Sequence, residues 1–309
     1  MIAVQRRSIS FPTTGARELG TMRIGRNITL TTTPDRVADE VAAAVRGGLD
    51  SVWTNQMPGS WDPLALLAAA GRVGPDIELG TAIVPTYPRH PVVAATEALT
   101  IAAATGAPVT LGLGPSHAWS VTDQLGLPYA SPAAHSREYL EIVAGLLRGE
   151  HVRHEGRFFR VDTALDVPVA PVSLLLSALG PRMLEVARDL TEGTIAVWVR
   201  PDLVADVLRP ALRDDQRVVV QVLAAVTGDP DGLRERIARD FVAVGSMPAY
   251  RAVLDRAGLQ GPADTLVVGT EEDLAREFAR FADAGTTDLM ISPLEEPERV
   301  LDVARSLHV

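Results

Sequence analysis

Short apolar, β-branched runs alternate with longer amphipathic stretches along most of this chain. Residues 24–30 read as a strand. Pro34 and Asp35 then open a helix that carries Val37, Val41 and Val45 on one stripe and closes at Gly47-Gly48. The same rhythm predicts strands over 51–54, 77–84 and 109–113, separated by helices over 62–72 and 91–104. Residues 114–134, with Pro115, Pro128 and Pro132, read as a long loop, and 135–148 as a helix. An irregular insertion with a hairpin is expected over 150–170. The alternation then resumes, with strands over 172–177, 194–199, 218–226 and 288–292. Helices are expected over 181–190, 201–212, 231–257 (broken near Gly245), 271–284 and 298–306, and a short apolar run at 266–268 precedes the helix that begins at 271.

Eight strands each followed by a helix call for a parallel sheet. With no linker in mid-chain, the expected architecture is α/β, a closed (β/α)8 TIM barrel with an insertion after strand four. An open doubly wound sheet is the alternative. Its fingerprint is incomplete, because Gly112-Leu113-Gly114 continues into Pro115-Ser116-His117 and the third glycine of G-x-G-x-x-G is missing. Residues 1–21 are expected to be an N-terminal tail and 22–309 a single domain.

Composition narrows the chemistry. The 309 residues are 47% hydrophobic, with 29 basic and 39 acidic side chains, a net charge of −10. Such an acidic chain has no basic face for nucleic acid, and no run reaches the roughly 18 apolar residues of a membrane span. The first twenty residues lack the apolar core of a signal peptide, so a cytoplasmic location is expected. There is no cysteine, which removes thiol nucleophiles, disulfides and thiolate metal sites. There is no lysine either, which removes Schiff-base chemistry and the lysine of a phosphate loop. No zinc or nucleophile-elbow motif appears and no metal is expected. His151 and His154 belong to a solvated hairpin, and Asp62 and Asp123 stand isolated in the sequence.

A barrel presents its chemistry at the C-terminal ends of its strands. Those ends read Asn55-Gln56, then Ala82-Ile83 with Arg89 and His90 beyond, then Pro115-Ser116-His117 with Trp119, then Leu179-Gly180-Pro181-Arg182, then Trp198 and Arg200. Trp61, Trp119 and Trp198 are candidates for an apolar substrate pocket together with Gln56. Gly180, Pro181 and Arg182 open a helix, whose free N–H groups and positive dipole end suit an anion, with Arg182 or Arg200 adding charge. Ordinary helix capping explains the Gly-Pro pair equally well.

These residues and several further segments carry a resemblance. Gly48-Leu49-Asp50-Ser51-Val52-Trp53, Leu79-Gly80-Thr81, Arg89-His90-Pro91 and Leu111-Gly112-Leu113-Gly114 belong to it. So do His135-Ser136-Arg137-Glu138-Tyr139-Leu140, His154-Glu155-Gly156-Arg157-Phe158-Phe159, Ala178-Leu179-Gly180-Pro181-Arg182-Met183-Leu184 and Ala284-Gly285-Thr286-Thr287-Asp288. In this order and spacing the chain resembles the luciferase-like monooxygenase superfamily, in its branch of coenzyme F-420-dependent oxidoreductases.

The resemblance implies an 8-hydroxy-5-deazaflavin lying across the barrel mouth. It implies a non-prolyl cis bond between Ala82 and Ile83 under the ring, ring-edge contacts from Asn55, Pro115 and Ser116, and backbone contacts from Leu179 and Gly180. Arg200 then lies near the phosphate. Relatives that oxidise alcohols or a sugar phosphate carry an Asp-His pair where this chain has Asn55 and Gln56, and an acid where it has His117. Alcohol oxidation therefore lacks its base. The expected activity is reduction of a C=C or C=N bond of a small organic substrate, with His117 as proton donor or, alternatively, as a group that only shapes the pocket. An FMN-dependent monooxygenase and a non-catalytic ligand-binding barrel are the alternatives, and a homodimer is expected by analogy.

Overall fold

The computed structural model describes residues 21–29, 32–74 and 76–308. The expected tail over 1–21 lies outside the described residues apart from its last position. Twelve strands are present among the described residues: β1 (Arg23–Asn27), β2 (Ser51–Thr54), β3 (Glu78–Thr81), β4 (Val84–Pro85), β5 (Val109–Gly114), β6 (Val152–Glu155), β7 (Arg160–Thr163), β8 (Val172–Ser177), β9 (Gly193–Val197), β10 (Arg217–Val226), β11 (Val267–Gly269) and β12 (Asp288–Glu295). Eight of them close on themselves, all parallel, in the order β1-β2-β3-β5-β8-β9-β10-β12 and back to β1. This is the (β/α)8 barrel that the alternation predicts, and the open sheet is excluded by the β1–β12 and β9–β10 pairings.

The remaining strands explain the surplus length. β6 and β7 form the expected antiparallel hairpin. Glu138, on the helix Pro132–Leu147, pins its turn by accepting from the backbone N–H groups of Arg157, Phe158 and Phe159 at 2.9–3.2 Å. β10 is ten residues long, and its upper half pairs with β11 outside the barrel. Three helices fill the stretch between them, Pro230–Asp240, Val242–Gly245 and Pro248–Arg256. They bury Leu233, Ile237 and Leu254 against Leu223, Ala225 and Val268 in a satellite core.

Element ends shift by a few residues from the sequence expectation. The strand expected over 77–84 is interrupted at the cis Ala82–Ile83 bond and continues as β4. The loop expected over 114–134 holds a helical turn, Ser120–Gln124, anchored by buried Val121. Asp62 is not isolated: it caps the helix Pro63–Ala69 through the N–H groups of Leu64 and Ala65 and pairs with Arg89. His151 does lie on the solvated hairpin, paired with Asp162 at 2.7 Å, whereas His154 turns inward to Glu138 at 3.3 Å.

The barrel interior is filled in two layers. Trp53, Leu175, Ile195, Val219 and Met290 occupy its waist. The Trp53 indole donates to Ser51 Oγ at 2.8 Å, and a Cβ on Gly25 or Gly80 would overlap the indole ring, so both neighbours are glycine. Below it, at the N-terminal ends of the strands, Arg217 bonds Asp288 at 2.7 Å and Glu78 at 2.9 Å. Arg23 bonds the same two carboxylates at 3.0 and 2.8 Å. Burial pushes the Glu78 carboxyl up, but Arg217 and Arg23 outweigh it and hold its pKa at about 2. No helix among the described residues is long and apolar enough to cross a membrane.

Glu78 has a folded pKa below its ordinary 4.5. Its contribution is therefore complete above that value and is lost as pH falls toward about 2. Glu78→Gln is expected to lower stability at neutral pH by about 3 kcal/mol, because two arginines lose a buried partner. It should also flatten the acid limb. Chemical denaturation of both proteins across acid pH measures both effects.

Candidate active site

With the lower barrel filled, the open space lies at the C-terminal mouth. A cavity of about 1080 Å³ opens there, and its walls come from every quarter of the barrel. Its walls are mostly apolar, including Ile83, Leu179, Met183, Trp198, Leu223 and Val253. No aspartate or glutamate is among its lining residues. Of its two arginines, Arg89 is committed to Asp62 and to Glu97, and Arg256 sits exposed at the rim.

The polar groups fall into two sets. Neutral side chains hold the floor: Asn27 Nδ2 donates to Asn55 Oδ1 at 3.3 Å, and Gln221 Nε2 donates to Ser292 Oγ at 2.9 Å. Gln56 joins them, its backbone N–H held by the Ile83 carbonyl at 3.1 Å. The second set is His117, on the loop after β5, and Tyr250, on the helix Pro248–Arg256. Their rings meet edge to face with centroids 4.8 Å apart. Burial lowers the His117 pKa below its usual value and raises the Tyr250 phenol to about 12.

The lips are held stiffly. Ser116 has φ +61° and Trp198 has φ +58°, both in the left-handed region that non-glycine residues seldom adopt. Side chains fix each of them. The Tyr129 hydroxyl donates to the Ser116 carbonyl at 3.2 Å, and Trp198 packs on Phe241 with centroids 5.3 Å apart. Tyr129 in turn meets Tyr87, which stacks on buried His135 at 3.9 Å. Burial in this aromatic cluster drives the His135 pKa down to about 4, and it stays neutral.

Of the residues singled out in the sequence, the cavity brings together Asn55, Gln56, Ala82, Ile83, Pro115, Ser116, His117, Trp119, Leu179, Gly180 and Trp198. The Ala82–Ile83 bond is cis, as the resemblance implies. Pro181, Arg182, Arg200 and Trp61 are not among the lining residues. Pro181 and Arg182 start the helix Pro181–Leu190 just beyond Gly180, Arg200 caps the helical segment Pro201–Leu203, and Trp61 is 52% exposed. Arg182 and Arg200 make no ion pair among the described residues. The described residues contain no cluster of three or more side chains able to hold a metal ion.

Three inward polar residues were missed, Asn27 because the strand was expected to run on to residue 30 and Gln221 because it reads as a mid-strand position. Asn27 closes β1, while Gln221 and Ser292 lie within β10 and β12, both of which run on past the barrel rim. A lone glutamine in the apolar run Val218-Val219-Val220-Gln221-Val222-Leu223 was the available signal. Phe241, Met247, Tyr250 and Arg256 were missed because their helices return to the mouth from the satellite core, which no local pattern reveals.

A sequence model of the luciferase-like monooxygenase family matches residues 8–302. The chain belongs to that family. Among curated relatives of this luciferase-like enzyme is the 5,10-methylenetetrahydromethanopterin reductase of Methanolobus tindarius. It is 25% identical over 269 residues, which covers 83% of this chain and 80% of the relative. An F-420-dependent glucose-6-phosphate dehydrogenase of Nakamurella multipartita is 31% identical over 196 residues, covering 59% of this chain and 58% of that one. The solved coenzyme F-420-dependent tetrahydromethanopterin reductase of Methanopyrus kandleri superposes with a TM-score of 0.75 at 21% identity, covering 92% of this chain and 97% of that chain.

His117 is expected to titrate with a midpoint below 6.5, since burial disfavours its imidazolium and no carboxylate lines the cavity to offset that. Nitrogen-15 NMR of the histidine rings measures it, with His117→Ala assigning the resonance.

Proposed function

We propose that this luciferase-like enzyme is a coenzyme F-420-dependent reductase that adds hydride to a C=C or C=N bond of a small organic molecule. The observation that carries this reading is the carboxylate-free, largely apolar cavity at the barrel mouth. The floor offers only the neutral amides Asn27, Asn55, Gln56 and Gln221, so among the lining residues His117 is the group that can take or give a proton near neutral pH, and its use as a donor is part of this reading. The naming of curated relatives as F-420-dependent supports the choice of coenzyme.

The residues fit a deazaflavin. The amides of Asn55 and Gln56 match the hydrogen-bonding edge of its ring, and Ile83, Leu179 and Trp198 offer apolar contact. The first N–H groups of the helix Pro181–Leu190 have no intrahelical acceptor, and Gly180 supplies no side-chain cap. With uncommitted Arg182 and Arg200 nearby in the sequence, they suit a phosphodiester. When bound, this coenzyme supplies the hydride.

The chain's own residues orient the substrate, exclude water and place the proton. His117 is the proton source in this reading. Its depressed pKa leaves the ring mostly neutral at pH 7, so the acid form grows as pH falls. Turnover limited by proton delivery then declines as pH rises above the His117 midpoint, about tenfold per pH unit. His117→Ala should remove that limb of the profile and lower kcat by roughly 10²-fold. An unchanged profile overturns the role.

Titration with oxidised deazaflavin, and separately with FMN, tests the coenzyme. Deazaflavin should bind and FMN should not. Oxygen consumption with bound FMN would support a monooxygenase instead, and binding of neither would leave a ligand-binding barrel. Arg200→Ala should weaken deazaflavin binding by about tenfold while moving the thermal midpoint little, as expected for a partly exposed cation without a partner.

A further inference from the structure

Tyr250 and His117 stand apart from the rest of the cavity wall. They arrive from elements more than a hundred residues apart in the chain and meet edge to face at 4.8 Å. Both line the cavity, and neither side chain spends its polar atoms on another described residue. The floor amides of Asn27 and Gln221, by contrast, already donate to Asn55 and Ser292. An aromatic pair placed for packing alone would be satisfied by phenylalanine at 250.

We propose that the Tyr250 hydroxyl and the His117 ring N–H form a two-donor seat for one carbonyl-type oxygen of the substrate, so that the substrate is an α,β-unsaturated carbonyl compound. This rests on the reading of the cavity as the substrate site of a reductase, and narrows it. A hydride arriving at the β-carbon forms a C–H bond there. The C=C electron pair moves between the α-carbon and the carbonyl carbon, and the C=O pair moves onto oxygen. That oxygen carries the new negative charge until it takes a proton from His117, which draws one from solvent, and the resulting enol reverts to the carbonyl as a solvent proton adds to the α-carbon and the O–H proton leaves. Two donors fixed in an apolar wall stabilise that charge without reorganising. A cyclic imine lacks the oxygen and leaves the seat unfilled, which a site built to hydrogen-bond its ligand penalises.

The phenol suits this task because burial keeps it protonated across the physiological range. His117, neutral near pH 7, carries one ring N–H in either tautomer. Tyr250 is therefore assigned contact with substrate oxygen, and its ring also holds His117 in place.

Pentafluorophenolate, an oxyanion on a flat apolar ring, probes the seat by fluorine NMR with oxidised deazaflavin present. Pentafluorobenzene, which lacks the oxygen, is the control. Tyr250→Phe keeps the ring and removes only the hydroxyl. It should weaken pentafluorophenolate binding by about tenfold or more while leaving pentafluorobenzene and deazaflavin affinities unchanged. With His117→Ala the losses should be non-additive. Unchanged pentafluorophenolate affinity in Tyr250→Phe, or equal loss of both probes, overturns the seat. Failure of the wild-type protein to bind deazaflavin is a separate result that overturns the coenzyme reading instead.

Discussion

The ionic floor of the barrel sets where everything else in this molecule must be. Arg217 and Arg23 share Glu78 and Asp288, and these four side chains begin β10, β1, β3 and β12. The group ties together strands distant in sequence at one end of the barrel. Charges held this deep are tolerable only when every member is paired and hydrogen-bonded, and Thr110 adds a further bond to Glu78 at 2.7 Å. The network and the Trp53 layer above it together fill the barrel interior below the mouth. The mouth cavity stands at the C-terminal ends of the strands, the end used for chemistry throughout this architecture.

That constraint gives the composition of the mouth its meaning. The barrel supplies many positions at which an acid could stand, and none of the cavity-lining residues is one. Asp62 and Glu97 approach the region but are neutralised by Arg89, and Asp62 is further occupied as a helix cap. What remains is a low-dielectric chamber with amides on its floor and two ionisable rings, His117 and Tyr250, on one wall. Both are neutral near pH 7, because burial pushes the histidine pKa down and the tyrosine pKa up. Such a chamber favours a flat, largely apolar ligand.

The sequence carried the barrel clearly because a parallel barrel depends on local alternation, and strands buried on both faces read as continuous apolar runs. It carried cavity-lining residues at several strand ends, Asn55, Ala82-Ile83, Ser116-His117 and Gly180, but not Asn27, because the first strand was read through to residue 30. It failed where strands overran the rim. β10 continues to Val226 to pair with β11, so Gln221 looked like a mid-strand residue although it faces the cavity. The helices capped by His90 and Thr270 start where expected, at Pro91 and Glu271, whereas the helix expected over 135–148 starts at Pro132 and the one expected over 62–72 ends at Ala69.

The helices of residues 230–256 mark the boundary of what one sequence can yield. Their apolar positions read as core, and Leu233, Ile237 and Leu254 are core. Yet the same segment turns Phe241, Met247 and Tyr250 toward the cavity, and sets Tyr250 against a loop more than a hundred residues earlier in the chain. The break at Gly245 permits this. A Cβ there would crowd the Pro262 ring, so the glycine lets the short helix Val242–Gly245 settle against the segment that leads into β11. Only then does the following helix, begun by Pro248, come back over the barrel mouth with Tyr250 on its first turn. The half of the cavity wall that meets His117 is therefore a product of tertiary packing in the satellite core. A substitution there can reshape the cavity without disturbing either the ionic floor or the strand ends.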